Sequence, residues 1–335
     1  MENGKKDNGV GRTTKSGVLG ILEKKKGTYV SGEDMASELN VSRNMIWRAI
    51  KSLKNEGYLI DASTKRGYCL NKQNDIVSVE GIRPFLKDPD IANVIKVYSI
   101  IDSTNKEAKA QAILMPNQRS IIIADSQSHG IGRLNHEFFS PPGTGLYMSF
   151  ILYPDDIPYT TPIAITSFVG VCICEAIKKL SKIETSIKWV NDIFIGDKKV
   201  AGILTEAITD FESNTIHEII LGVGININTK KSDFPENLKE IASSLYPNGS
   251  SLISRNELAA EIINSILLSS SFPTEIELFQ RYKRKLCMLN AEVIIRHGKD
   301  IYNAKALDID ERGYLIVETQ NGDKKTLSNG ETISF

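Results

Sequence analysis

The sequence predicts an α+β chain of several domains, and three observations lead to that prediction. The 335 residues are 41% hydrophobic and 24% charged, which is enough apolar material for two or three packed cores. Strand-like and helix-like patterns alternate in the middle of the chain. Short amphipathic helices precede this region, and short strands separated by turns follow it.

The net charge of zero conceals an uneven distribution along the chain. Residues 1–72 contain 14 Lys and Arg against 8 Asp and Glu, whereas the remaining residues contain 27 against 33. A polyanionic partner is therefore expected to bind the first segment.

Neither a membrane nor a metal cluster is expected. No apolar run approaches the roughly 20 residues that span a bilayer, and the polar N-terminus has no export signal, so we predict a cytoplasmic protein with no membrane partner. The four cysteines have no zinc or redox spacing, and the four histidines are too dispersed for a metal site. The cysteines are expected to be buried as small hydrophobic side chains.

Residues 14–74 predict a winged helix-turn-helix behind a tail at residues 1–13. Apolar stripes indicate a helix at 16–25, a second that opens at Ser31, and a third, RNMIWRAIKSLKNEG, with Ser42 as its N-cap. Two β-like runs, 58–60 and 67–70, flank the basic stretch DASTKR and form the predicted wing.

The third helix and the wing carry side chains suited to phosphates and base edges. DNA is therefore the expected partner, and the alternative is a three-helix module that binds protein while these charges are merely solvated. The predicted DNA-binding residues are Ser42, Arg43, Asn44, Trp47, Arg48, Lys51, Lys65 and Arg66.

Residues 75–97 are predicted to be a linker with a short helix that stops near Pro84, and residues 98–286 a mixed α/β domain. Strand patterns at 94–102, 119–125, 146–152 and 217–228 surround a hairpin with its turn at Gly196-Asp197, and helices start at Ser103 and near residue 167. Because hairpins outnumber βαβ units, we expect a mixed sheet with helices packed on it, and no dinucleotide-binding fold.

The C-terminal residues 287–335 predict a small β-barrel, because the turns HGKD, DERG, QNGD and SNGE separate short alternating strands. Such strands are equally compatible with a contribution to ligand binding and with a purely stabilising cap.

Four blocks carry a specific resemblance. They are DSTN at 102–105, the loop GIGRLNHE followed by FFSPPGTGLYMS, KWVNDIFIGDKKVAGILTE at 188–206, and GVGININ at 222–228. In this order, behind a winged helix, they resemble the bifunctional biotin protein ligases of bacteria, which also repress the biotin operon. The resemblance extends from about residue 14 to the C-terminus.

The resemblance implies a central sheet like that of class II synthetases, an SH3-like C-terminal barrel, and biotin--[acetyl-CoA-carboxylase] ligase activity. Biotin and ATP, with Mg2+, would give biotinyl-5′-AMP, and the biotin would then pass to a lysine of the biotin carboxyl carrier protein. The adenylate would also promote a homodimer that binds operator DNA. Such chemistry needs cations and backbone N–H groups, and a loop that closes over the adenylate.

By the same resemblance, Arg133, Lys188 and Lys199 are the expected catalytic cations. The implied biotin-binding residues are Ser103, Thr104, Asn105, Gln127, Gly130, Ile131, Gly132, Arg133 and Lys199. The implied ATP and adenylate residues are Arg133, Phe138, Lys188, Asn191, Asp192 and Asn226, with magnesium as an option beside Asp192. Gly130 and Gly132 would permit close backbone approach and a positive φ.

Simpler interpretations exist for several of these residues. Ser103 could only cap a helix, Lys199 could be a solvated turn residue, and Asp192 could form a surface pair with Lys188. Asn226 could merely end a strand, and Trp189 is expected in the core.

The ligand loop departs from the family pattern GRGRxGRxFxSP. Ile131 replaces the first arginine, and Asn135-His136-Glu137 replaces the later glycine and arginine segment. A charge-assisted hydrogen bond contributes about 1.5 to 3 kcal/mol, so modest ligase turnover is expected. The alternatives are a biotin-sensing repressor with weak or lost ligase activity, and a related lipoate ligase.

Overall fold

The structure is a computed structural model that describes residues 13–209, 216–268 and 272–334. It divides into two compact units, residues 1–84 and residues 85–335. The predicted tail, apart from Thr13, lies outside the described residues. None of the described helices is long and apolar enough to cross a membrane.

The first unit is a helix-turn-helix with a small hairpin. It contains α1 (Thr14–Lys24), α2 (Gly32–Leu39), α3 (Arg43–Asn55), β1 (Ile60–Ser63), β2 (Gly67–Leu70) and α4 (Val79–Ile82). Ser31 caps α2, and Ser42 caps α3 by accepting a hydrogen bond from the amide of Met45 at 3.3 Å. Val18, Leu22, Met35, Ile46 and Leu53 form its core. The predicted winged helix-turn-helix is confirmed.

One boundary in this unit differs from the prediction. The first wing strand was expected at residues 58–60, but β1 begins only at Ile60 and runs to Ser63. The amide of Tyr58 still bonds to the carbonyl of Leu53 at 3.0 Å. This bond closes the end of α3, so the extended ladder starts two residues later.

The second unit is built on a seven-stranded mixed sheet. Its strands are β3 (Ile95–Tyr98), β4 (Ser120–Ala124), β5 (Gly145–Leu152), β6 (Ser186–Lys188), β7 (Asp192–Ile195), β8 (Lys198–Thr209) and β9 (Ile216–Asn226). Their order is β3-β4-β5-β9-β8-β7-β6, and the β3–β4 pair is parallel while the others are antiparallel. The predicted mixed sheet is confirmed.

Four helices pack on this sheet or on one another. They are α5 (Thr104–Leu114), α6 (Pro162–Ser181), α7 (Arg255–Leu267) and α8 (Glu275–Lys283). The helix α5 packs on β4, β5 and β9, α6 packs on β7 and β8, and α7 and α8 pack on α6. All residues of β5 are buried, which explains its unbroken apolar run.

The sequence predicts a hairpin with its turn at Gly196-Asp197, but the arm before this turn is interrupted at residues 189–191. There the Trp189 indole donates to the carbonyl of Gly313 at 3.1 Å, and the Tyr282 hydroxyl donates to the carbonyl of Val190 at 2.8 Å. The segment is therefore held by the C-terminal region and by α8. Trp189 is buried as expected.

The C-terminal residues form a five-stranded antiparallel sheet. Its strands are β10 (Glu292–His297), β11 (Asp300–Ile309), β12 (Leu315–Thr319), β13 (Lys324–Leu327) and β14 (Glu331–Ser334), in the order β13-β12-β11-β10-β14. Alternate residues such as Val293, Ile295, Leu315 and Val317 are buried. The expected small β domain is present.

The cysteines are free thiols. Cys69, Cys172 and Cys174 are buried and Cys287 is half-buried. Burial raises the pKa of Cys174 to about 11, so its thiol is protonated at neutral pH. The expected burial therefore holds for Cys69, Cys172 and Cys174, and Cys287 is only partly buried.

Candidate active site

A pocket opens where the start of α5, the loop between β4 and β5, and the strands β8 and β9 meet. It encloses about 430 Å³ of empty space, counting its open mouth. Its lining residues are Ser103, Thr104, Asn105, Gln127, Ile131, Gly132, Arg133, Phe138, Met148, Asn191, Lys199, Gly202, Ile203, Leu204, Gly222, Val223 and Gly224.

Every residue expected to bind biotin, except Gly130, lines this pocket. Of those expected to bind ATP, Arg133, Phe138 and Asn191 also line it, whereas Lys188, Asp192 and Asn226 lie outside the lining. A Cβ on Gly130 would lie 2.4 Å from the carbonyl oxygen of Phe138. Gly130 therefore permits the loop to close on itself.

The floor of the pocket consists of glycines on two paired strands. Gly202 pairs with Gly224, and Leu204 pairs with Gly222. A Cβ on Gly222 would lie 2.2 Å from Oδ1 of Asn105, and one on Gly224 would lie 2.6 Å from the ring of Phe138. The sequence prediction missed these glycines, although their spacing of two within a strand was a usable signal.

One wall carries polar groups without charge. Ser103 occupies the N-cap position of α5 but makes no capping hydrogen bond. Instead, Oε1 of Gln127 accepts from the amide and from the hydroxyl of Thr104 at 2.8 and 3.1 Å. Ser103 is 1% exposed, and its hydroxyl has no hydrogen-bond partner among the described residues. The capping interpretation of Ser103 is therefore wrong, and its hydroxyl remains available for a ligand.

Two side-chain amides on this wall have fixed orientations. Nε2 of Gln127 donates to the hydroxyl of Ser140 at 2.8 Å, which in turn donates to the carbonyl of Phe138. Nδ2 of Asn105 donates to Glu206 at 3.2 Å, so Oδ1 of Asn105 faces the hydroxyl of Ser149 at 2.6 Å. The prediction did not include Ser149, Ser140 or Glu206, because their role depends on contacts across the sheet.

The opposite end of the pocket is cationic. Arg133 donates from Nη1 to Oδ1 of Asn191 at 3.0 Å and from Nη2 to the carbonyl of Gly330 at 3.4 Å. Nζ of Lys199 lies 2.8 Å from Oδ1 of Asp192. Thus two cations from separate segments reach one cavity, and Lys199 is not a merely solvated turn residue.

Lys188 lies beside this end. Its Nζ donates to the carbonyl of Ile333 at 3.2 Å and lies 5.5 Å from the centre of the Phe194 ring. Burial lowers the pKa of Lys188, although the nearby carboxylate of Asp192 acts in the opposite direction. The ammonium is therefore less well solvated than that of an ordinary surface lysine.

Asn226 lies at the end of β9 and is buried. Its Nδ2 donates to the carbonyl of Ser243 at 3.0 Å, and its Oδ1 has no hydrogen-bond partner among the described residues. The side chain thus presents an unused acceptor beyond the strand end, where Ser243 and Leu245 pair with Lys199 and Asn226.

The loop between Gln127 and Ser140 is internally bonded. The amide of Phe138 donates to the carbonyl of Gly130 at 2.8 Å, and the amide of Gly132 donates to that of His136 at 2.7 Å. The sequence allows a positive φ at Gly130 and Gly132, but neither residue has one. A positive φ occurs instead at Leu134 (54°) and Asn135 (60°). Asn135, which replaces the family glycine, is a residue type that tolerates this conformation.

The two departures from the family loop lie in different places. Ile131 is half-buried and lines the pocket, whereas His136 is exposed and does not line it. Ile131 therefore supplies an apolar surface where an arginine was expected.

The predicted DNA-binding residues are all exposed on the first unit. Ser42, Arg43, Asn44, Trp47, Arg48 and Lys51 lie on α3, or at its cap, away from the buried stripe of Ile46, Ala49, Ile50 and Leu53. In the wing, the guanidinium of Arg66 lies 3.9 Å from the centre of the Tyr29 ring. This stacking holds one wing cation in place.

Family models match three regions of the chain. The Biotin/lipoate A/B protein ligase family matches residues 97–226, an HTH domain matches residues 15–69, and the Biotin protein ligase C terminal domain matches residues 288–333. The order of these regions is that expected from the sequence motifs.

The chain is similar over nearly its whole length to proteins named Bifunctional ligase/repressor BirA. The relatives from Bacillus spizizenii and Bacillus subtilis are each 32% identical over 326 residues, which cover 94% of this chain and 97% of theirs. The structure of a biotin protein ligase from Aquifex aeolicus in complex with biotin and ATP is 27% identical, with a TM-score of 0.59 over 71% of this chain and 96% of that one. The chain belongs to the family of bifunctional biotin ligases and repressors.

Proposed function

We propose that the protein joins biotin to AMP in this pocket, transfers biotin to a lysine of the biotin carboxyl carrier protein, and represses the biotin genes. The observation that carries the proposal is the convergence of Arg133 and Lys199 on a cavity whose other wall is polar but uncharged. Biotin has the same polarity, with a neutral ureido ring at one end and a carboxylate at the other.

The uncharged wall would bind the ureido ring. The orphan hydroxyl of Ser103 and the fixed amides of Asn105 and Gln127 offer both donors and acceptors. The glycine floor leaves room for a ring to lie against the backbone, and Met148, Ile203 and Val223 offer an apolar path for an aliphatic chain. The carboxylate would then lie at the cationic end.

The first step would join two anions. A carboxylate oxygen of biotin attacks the α-phosphorus of ATP, the new bond to phosphorus forms, and pyrophosphate leaves with the electrons of the broken bond. Arg133, Lys199 and Lys188 would hold the negative charge in place. In the second step the amine of the carrier lysine attacks the acyl carbon, AMP leaves, and the amine loses a proton. No protein nucleophile is needed.

Magnesium fits the carboxylate that this end provides. No group of three or more His, Cys, Asp or Glu side chains that could hold a metal ion occurs among the described residues. Asp192 is one carboxylate beside the cationic end, and Mg2+ commonly binds one or two carboxylates plus substrate phosphates. We propose that Asp192 holds the metal, which when bound would neutralise phosphate charge.

The ligase assay decides among the three functions. The pure protein is incubated with MgATP, a carrier domain, and either biotin or lipoate, and pyrophosphate release and the carrier mass are measured. We expect the mass of the carrier to increase with biotin and not with lipoate. No increase is expected when the acceptor lysine of the carrier is replaced. Biotin binding without pyrophosphate release would leave only the sensing repressor, whereas labelling by lipoate would make it a lipoate ligase.

We also propose that the adenylate promotes a homodimer that binds operator DNA, because a ligand stabilises the state that it binds more tightly. Sedimentation velocity and operator binding are measured with and without biotin and ATP. Equal dimer populations and equal DNA affinities under both conditions would reject this proposal. The cytoplasmic location stays a prediction.

A further inference from the structure

A buried guanidinium lies outside the pocket and has no role in the proposed chemistry. Arg255 is the first residue of α7 and is 3% exposed. Its Nη1 donates to Oδ1 of Asp125 at 2.6 Å and to the carbonyl of Gly145 at 3.2 Å. Arg255 does not line the pocket, so its partners must explain why a charge is buried here.

These two partners lie at the two ends of the segment between β4 and β5, which contains the ligand loop. Asp125 directly follows β4, and Gly145 is the first residue of β5. The second carboxylate oxygen of Asp125 accepts from the amide of Gly143 at 3.1 Å. Arg255 and Asp125 thus close the base of the segment between β4 and β5, which carries Gln127, Ile131, Gly132, Arg133 and Phe138.

The base is connected to the pocket wall through Tyr147, which is fully buried. Its hydroxyl donates to the carbonyl of Pro141 at 3.0 Å, and its ring meets that of Phe138 edge to face at 6.3 Å. A shift of the loop ends would therefore move Phe138, and with it the carbonyl that the Gln127–Ser140 chain holds.

General stability does not account for this ion pair. A buried ion pair usually stabilises the fold little more than apolar side chains of the same shape would. The free-energy cost of removing both charges from water is about as large as the gain from their attraction. Fixing the ends of a loop, in contrast, reduces the entropy that is lost when the loop orders on a ligand.

We infer that Arg255 is a positioning residue for the ligand loop: with Asp125 it holds the two loop ends at the separation that keeps Arg133 and Phe138 on the pocket. This inference rests on the proposed function, since the loop is the part that would cover the adenylate. Arg255 does not line the pocket, so its loss acts on ligand retention and on the chemical step only through the displacement of Arg133 and Phe138.

The test compares Arg255→Met with Leu258→Ala. Leu258 is fully buried in the same helix, so its truncation destabilises α7 while Arg255 and Asp125 keep their charges. We expect Arg255→Met to raise the KM for biotin and the dissociation rate of the adenylate about tenfold, as for loss of a charged hydrogen bond, and to lower kcat as well, because Arg133 is displaced although it is still present. Leu258→Ala should leave the KM and the dissociation rate at the wild-type values.

Two more variants make the test independent of how well one variant folds. Arg255→Lys, which keeps a cation opposite Asp125, should recover most of the lost retention. Asp125→Asn should reproduce the defect of Arg255→Met, and the double variant should be no worse than either single one. If Arg255→Met does not fold, the Asp125→Asn result decides.

Amide hydrogen exchange at residues 128–138 of the unliganded protein gives a readout that needs no ligase activity. Exchange should be faster in Arg255→Met and Asp125→Asn than in the wild type and Leu258→Ala. The inference would be overturned if Arg255→Met and Asp125→Asn both had the exchange rates and the KM of the wild type. It would also be overturned if Leu258→Ala changed exchange and KM as much as they do. If the wild-type protein makes no adenylate, while exchange is still faster in Arg255→Met and Asp125→Asn than in the wild type, the proposed function alone is refuted.

Discussion

At the residue scale, two adjacent lysines at one turn have different environments. Lys199 lines the pocket and pairs with Asp192, whereas Lys198 bonds to Glu240 and does not line it. Replacing Lys199 with Gln should lower kcat for pyrophosphate release about a hundredfold, as loss of one preorganised donor does. Lys198→Gln is the matched control and should stay within about twofold. A similar loss of kcat in both variants would mean that the reaction depends on the total positive charge near this turn and not on the position of Lys199.

The lowered pKa of Lys188 predicts a pH dependence. Its ammonium loses its proton at a lower pH than an ordinary lysine, because burial disfavours the charged form. The kcat/KM for ATP should therefore fall as pH rises toward that lowered pKa. Lys188→Arg keeps its charge over the whole range, so its alkaline decline should shift to higher pH. The control is Lys283→Arg, a change at a surface pair with Asp308, which should leave the pH profile unchanged. If Lys188→Arg does not shift the alkaline decline, the decline is caused by the titration of another group.

At the scale of elements, the ligand loop contains a strained residue that can be relieved. Leu134 has φ of 54° and is 66% exposed, and this conformation costs a bulky residue about 1 to 2 kcal/mol. Leu134→Asn should raise the melting temperature by several degrees at most, since Asn tolerates the conformation. The control is Leu114→Asn: Leu114 is also exposed, at 78%, but lies at the end of α5, so this change should not stabilise the protein. A lower melting temperature for Leu134→Asn would show that Leu134 makes compensating contacts.

The elements were predictable wherever the local pattern and the tertiary structure agree. Serine caps and apolar stripes located α2 and α3, and turn sequences located the C-terminal strands. The break at residues 189–191 was not predictable, because it depends on Tyr282 and Gly313, which are distant in sequence. Ser149, Glu206 and Arg255 were missed for the same reason. Each acts through a contact that forms only in the folded protein.

At the scale of the whole molecule, the basic first segment predicts a salt-dependent affinity for DNA. Arg66 is exposed in the wing and stacks on Tyr29. Arg66→Ala should weaken binding to every DNA sequence and reduce the slope of log K against log salt by about one, as loss of one phosphate contact does. Lys299→Ala, an exposed cation in the second unit, serves as the control. An unchanged slope in Arg66→Ala would place the wing away from the phosphates.

The glycines of β8 and β9 restrict how ligand choice could change during evolution. A surface made of bare peptide planes offers no side chain to exchange, and any methyl group added at Gly222 or Gly224 would collide with Asn105 or Phe138. New substrate preferences would therefore have to arise on the remaining sides of the cavity, where side chains such as Ile131 line the pocket.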